Sequence, residues 1–125
     1  MIKFLLEYTA SKRTTYMKGE KEKMTFSKTM CKEIMKYNRG DIFLQNSPVS
    51  SLPENLVVDG RLELNSCQNL KDLPKGLCVK GALILRNCKN LVKLPEGLTV
   101  GGSLWIEDCA NVSLPKNFVV AGQIF

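Results

Sequence analysis

The chain has 125 residues and no histidine. That removes Ser-His-Asp and Cys-His nucleophile pairs and every His-ligated metal centre. Tryptophan occurs once, and aromatic residues make up 7% of the chain, so a core must be built mainly from aliphatic side chains. Long apolar runs are also missing. The N-terminal MIKFLLEY holds Phe4, Leu5 and Leu6 in succession before Glu7. A secretory core needs about 7–15 apolar residues and a spanning helix about 20. The expected location is therefore the cytoplasm, or a host cell reached without a cleavable signal peptide. Five cysteines, an odd number, suit reduced thiols better than a disulfide framework. No phosphate-cradling loop or paired acid and base stands out, so neither an enzyme nor a cofactor is expected.

Charge is present but unevenly placed. Residues 1–40 carry ten basic and four acidic side chains, and residues 41–125 carry eight of each. The whole excess of +6 thus belongs to the first third. The remainder is neutral, and it is repetitive.

Leu-Pro recurs at Leu52-Pro53, Leu73-Pro74, Leu94-Pro95 and Leu114-Pro115, in steps of 21, 21 and 20. Gly60, Gly81, Gly102 and Gly122 keep the same steps, and Cys67, Cys88 and Cys109 are each 21 apart. The unit reads LPxxLxVxGxLxLxxCxNLxx. Its GxLxL segment alternates apolar and polar residues, the period of a half-buried strand. Too little chain separates successive strands to hold a long helix. A tight coil is left, with Leu-Pro on an extended return side where proline's missing donor does no harm. The glycine before each strand is expected to supply a positive φ at the corner. LxV predicts a second short extended piece.

Stacked coils put one strand per repeat into a parallel sheet. Leu62, Leu64, Leu83, Leu85, Leu104 and Ile106 point inwards. Leu56, Val58, Leu77, Val79, Leu98 and Val100 meet them from the far side. Such coils bury their apolar edges only against neighbours. Gly40, Ile42 and Leu44 mark a degenerate first unit over 40–51, and the solenoid is read as 40–125. Ile124 and Phe125 open a further strand, so the C-terminal edge predicts pairing with a second copy as a homodimer.

The stretches LELNSCQNL, LILRNCKNL and LWIEDCANV resemble the leucine-rich repeat, whose strand segment ends in Asn or Cys. The short unit with internal Leu-Pro is similar to repeats of bacterial and phage proteins, some of them secreted effectors. The resemblance covers about residues 40–125. It implies a mostly β repeat solenoid, leucine-rich-repeat-like, with one parallel strand per coil and a binding face on the sheet. It implies no reaction.

Residues 1–39 lack the repeat and read as a basic N-terminal cap. Ile2, Phe4, Leu6 and Tyr8 predict a strand, and the Lys-rich stretch 9–25 predicts a loop. Phe26, Met30 and Ile34 step by four opposite Lys28, Lys32 and Lys36, which predicts a helix over about 26–38 with Thr25 as N-cap and Gly40 near its stop.

On the sheet, the residue between each pair of buried leucines faces outwards: Phe43, Glu63, Ile84 and Trp105. Arg61, Arg86, Glu107 and Asp108 flank them. Aromatic anchors beside arginine suit a protein interface. The expected function is a non-enzymatic module that recognises or inhibits a partner protein through this face. The alternative is a nucleic-acid or anionic-surface binder using Lys12, Arg13, Lys18, Lys21 and Lys23. The cysteine ladder reads as packing, because a spacing of 21 is far from the two-to-four-residue knuckle of a zinc site. Asn69, Asn90 and Asn111 are expected to satisfy turn backbone.

Overall fold

The computed structural model describes residues 24–109 and 112–125. The chain forms a parallel β-solenoid of about four turns with one short helix near its N-terminal side. In order, β1 is Met24–Thr25, α1 is Lys28–Tyr37, β2 is Ile42–Gln45 and β3 is Val49–Ser51. Then follow β4 (Val57–Val58), β5 (Leu62–Asn65), β6 (Cys78–Val79), β7 (Leu83–Arg86), β8 (Leu98–Val100), β9 (Leu104–Glu107) and β10 (Phe118–Val120).

Two four-stranded parallel sheets face each other across the core. One has the order β2-β5-β7-β9 and the other β10-β8-β6-β4. Each coil gives one strand to each sheet, so neighbours in a sheet lie one repeat apart in sequence. Register follows the repeat without slip: Leu62 pairs Leu83 and Leu83 pairs Leu104. A third ladder, Asp72 to Lys93 to Ser113, ties the coils on the Leu-Pro side. The predicted inward leucines are fully buried, as are Val58, Leu77, Val79, Leu98 and Val100. Ile106 is only partly buried.

The corner glycines act differently from expectation. Of the column Gly40, Gly60, Gly81, Gly102 and Gly122, only Gly40 has a positive φ, at 92°. The others are glycine because backbones stack there. Gly81 N donates to Gly60 O at 2.8 Å, and Gly102 N donates to Gly81 O at 2.9 Å. A Cβ on Gly81 would sit 2.9 Å from the carbonyl carbon and oxygen of Gly60. A left-handed position follows each strand of the β2-β5-β7-β9 sheet instead, at Asn46, Ser66, Asn87 and Asp108, and another column, Asn55, Gly76 and Gly97, precedes strands of the other sheet. Three of the first four are Asn or Asp, the non-glycine types that tolerate this region best.

The helix also starts later than its periodicity suggests. Ser27, not Thr25, is the N-cap, and its Oγ accepts from Met30 N at 3.2 Å. Thr25 belongs to β1, which pairs in parallel with β3. The β1 pairing takes this end of the predicted 9–25 loop, because Phe26 N donates to Ser51 O at 3.0 Å. Phe26 is buried just outside the helix, and the buried helix face is Cys31, Ile34 and Met35. Met35 seats the helix on the first coil, its sulfur accepting from Asp59 N at 3.5 Å. The predicted strand 2–8 lies outside the described residues. Among the described residues no helix is long and apolar enough to cross a membrane.

Burial pushes the Cys31 thiol from its ordinary 9.0 up to about 12. The folded chain therefore keeps a proton that the unfolded chain loses above pH 9. Stability from this site is complete below that pH and is lost as pH rises towards 12. Cys31→Val cannot ionise, so its stability should fall less steeply across this window. The gap between wild type and variant should change in the variant's favour by on the order of 2 kcal/mol by about pH 11. Urea melts over a pH series measure it, and parallel profiles would refute it.

Candidate functional site

Register turns the outer side of the β2-β5-β7-β9 sheet into a lattice. Side chains alternate across a strand, so inward leucines force the residue between them outwards. The central column is Phe43, Glu63, Ile84 and Trp105. A bridge between Leu104 and Ile124 extends it by one place and sets Phe125 beside Trp105. Their ring centroids are 3.9 Å apart with planes at 18°. On one side the outer column continues through Gln45, Asn65, Arg86 and Glu107. Arg61 and Asp108 stand at opposite strand ends.

This face is less open than the period implies. Glu63 is 7% and Ile84 8% exposed, Phe43 is half-buried, and only Trp105, at 39%, is exposed within the predicted column. The reason is the company Glu63 keeps along its own strand and across to the next one. Glu63 takes Arg86 Nη1 at 3.1 Å, has Arg61 Nε at 3.6 Å, and accepts from Asn65 Nδ2 at 3.3 Å. Two arginines lie over one carboxylate and close it off. Ile84 is held between Glu63 and Trp105 in register.

The face therefore has two unlike halves. Around Glu63 the charges are satisfied internally. Around Trp105 the stacked aromatic pair is exposed, with Phe125 at 52%. Glu107 stands on the same side of β9, its only ion pair among the described residues a loose one to Arg86 Nε at 3.8 Å. Asp108, at φ 54°, is exposed beyond it. The sequence reading missed Phe125 as part of the column. Its signal was the step of 20 that already separates Gly102 from Gly122.

The cysteine ladder turns into the core after the strands. Cys67 Sγ donates to Leu44 O at 3.8 Å and Cys88 Sγ to Leu64 O at 3.5 Å. The acceptors belong to the preceding coil. The neighbouring Cys67 and Cys88 thiols act on each other: the influence of Cys67 lowers the Cys88 thiol, while Cys88 together with burial pushes Cys67 upwards. Cys109 is only part-buried, and burial again raises its thiol. Asn69 and Asn90 reach back the same way, to Pro48 O at 3.4 Å and Gln68 O at 2.6 Å. Asn111 lies outside the described residues. Among the described residues no cluster of three His, Cys, Asp or Glu could hold a metal.

A shallow concavity of about 390 Å³ runs along the Leu-Pro side, lined by Leu52, Leu73 and Leu94 with Glu54, Lys75 and Glu96. Its charges alternate from coil to coil, and it lies away from the aromatic pair. Lys12, Arg13, Lys18, Lys21 and Lys23 lie outside the described residues. The lysines of α1 are described: Lys28, Lys32 and Lys36 are all exposed. No protein-family model, curated protein or solved structure matches the chain.

Proposed function

We propose that this chain is a leucine-rich-repeat-like binding module that recognises or inhibits a partner protein through the outer face of its β2-β5-β7-β9 sheet, without catalysing a reaction. One observation carries the reading. Trp105, the only tryptophan in the chain, stands exposed on a strand whose neighbours hold it on one side by a full ladder. Tryptophan is costly to leave in water, and a rigid aromatic loses little entropy when a partner covers it. Arg86, Glu107 and Asp108 then set orientation, with Arg61 and the half-buried Phe43 as lesser contacts; Glu63 and Ile84, at 7% and 8% exposed, support the face from beneath.

The test is a pull-down from the source cell with wild type and Trp105→Ala side by side. A loss of captured partner of tenfold or more is expected, with circular dichroism and melting unchanged. Equal capture would overturn the sheet-face reading.

The exposed row Lys28, Lys32 and Lys36 on α1 favours a second reading, a nucleic-acid or anionic-surface binder that also uses the basic segment before it. Phosphate contacts weaken steeply with salt. Capture that survives Trp105→Ala, falls with rising salt and disappears on removing residues 9–23 would select that reading.

A further inference from the structure

The two halves of the sheet face differ in how their carboxylates are satisfied. Glu63 is covered by two arginines, and its side chain is 10% exposed. Glu107 has one loose contact, to Arg86 at 3.8 Å, and its side chain is 61% exposed. Arg86 is already committed, with its Nη1 on Glu63 at 3.1 Å. The residues two places to either side of Glu107 are Trp105 and Cys109, so no arginine stands beside it along the chain as Arg61 stands beside Glu63. Asp108 adds a second exposed carboxylate at the end of β9. The exposed aromatic pair thus borders uncovered negative charge.

The spacing suits one kind of side chain. Trp105 and Glu107 lie two residues apart on the same side of β9, about 6.5–7 Å. That is about the reach of an arginine or lysine from its stem to its charged head. Such side chains lay an aliphatic stem on an apolar surface while the head seeks charge. One coil earlier Arg86 stands at the same two-residue spacing from Ile84 and turns its head onto Glu63 at 3.1 Å.

We propose that the partner presents an arginine or lysine to this end of the sheet, its stem lying on the Trp105–Phe125 pair and its cationic head meeting Glu107 and Asp108. The inference rests on the sheet-face reading above and specifies the partner's chemistry. The chain as a whole carries +6, so general electrostatics repels a cationic segment. Attraction must come from this local arrangement.

The single tryptophan makes the test direct, because intrinsic tryptophan fluorescence reports on this site alone. The full chain is titrated at physiological salt with a deca-arginine peptide and with its deca-citrulline counterpart, which keeps the shape and lacks the charge. The arginine peptide should perturb the fluorescence with saturation, and the citrulline peptide should bind at least tenfold more weakly. Glu107→Gln with Asp108→Asn should weaken the arginine peptide at least tenfold while leaving the melting curve in place. No saturable response, an equal response to citrulline, or an unchanged affinity of the double variant would each overturn the inference. The pull-down separates this from failure of the parent reading. Partner lost with Trp105→Ala but kept in full with the double variant leaves the sheet face standing and removes the cation. Partner kept by both variants removes both.

Discussion

Leu85→Ala is expected to lower the unfolding free energy by about 3–4 kcal/mol, as fully buried leucines do when truncated in a core that cannot collapse. Leu85 is fully buried in β7, a central strand with β5 on one side and β9 on the other. Its register partners Leu64 and Ile106 are fixed by ladders on both sides, so neither strand can close the cavity without breaking pairing. The effect should extend beyond one site. Repeat coils are stabilised by their neighbours, and a defect in the middle weakens the coupling of the two ends. Urea unfolding should therefore show a lower midpoint and a shallower transition. Val119→Ala, at a side chain 60% exposed, is the control and should change stability by less than about 0.5 kcal/mol. A loss below about 1 kcal/mol for Leu85→Ala would mean that the coils are not packed as described.

Adding a single methyl group at Gly81 should be nearly as damaging. Gly81→Ala places a Cβ 2.9 Å from the backbone of Gly60 and 3.2 Å from Arg61 N. These are backbone atoms and cannot rotate away. Moving the coils apart would stretch the hydrogen bonds from Gly81 N to Gly60 O and from Gly102 N to Gly81 O, at 2.8 and 2.9 Å. Overpacking and weakened backbone bonding together should cost about 2–4 kcal/mol. Gly97→Ala separates this cause from backbone conformation. Gly97 has φ +74°, yet its added Cβ would meet nothing closer than 3.7 Å. Its cost should be only the left-handed penalty of about 1 kcal/mol. Gly97→Asn should come close to neutral, because Asn55 holds the same column two coils earlier at φ 58°. A loss at Gly81→Ala no larger than that at Gly97→Ala would show that the coils relieve the close approach at little cost.

The glycine result shows where pattern reading falls short. A glycine repeating every 21 residues announces a constraint but not its kind. Positive φ and close backbone contact both exclude a side chain, and only coordinates separate them. The cap shows a related limit. Phe26, Met30 and Ile34 share a helical period, yet Phe26 precedes the helix and is buried from there. An apolar residue next to a helix start keeps the spacing without being in the helix. Thr25 is the cap expected from the sequence, but its pairing with β3 holds it in a strand and leaves Ser27 to cap the helix.

The amino-acid sequence by itself determined the coil length, the strand in each coil, the inward leucines and valines, and the cysteine ladder. All of these depend on local alternation repeated at a constant step, and stacking neighbours bury whatever the step brings into line. Tertiary structure alone decided which outward residues remain outward. Glu63 and Ile84 occupy positions equivalent to Trp105, yet they are buried and it is not. Glu63 is closed over by Arg86, which reaches it from the adjacent coil, and by Arg61, two places back on its own chain segment, while Ile84 sits between Glu63 and Trp105 in register. Alternation says which side of the sheet a residue faces and carries no record of which neighbours then close over it. The face first read as four equivalent places is therefore a closed charged half and an exposed aromatic half, and it is the second half that has surface to offer a partner.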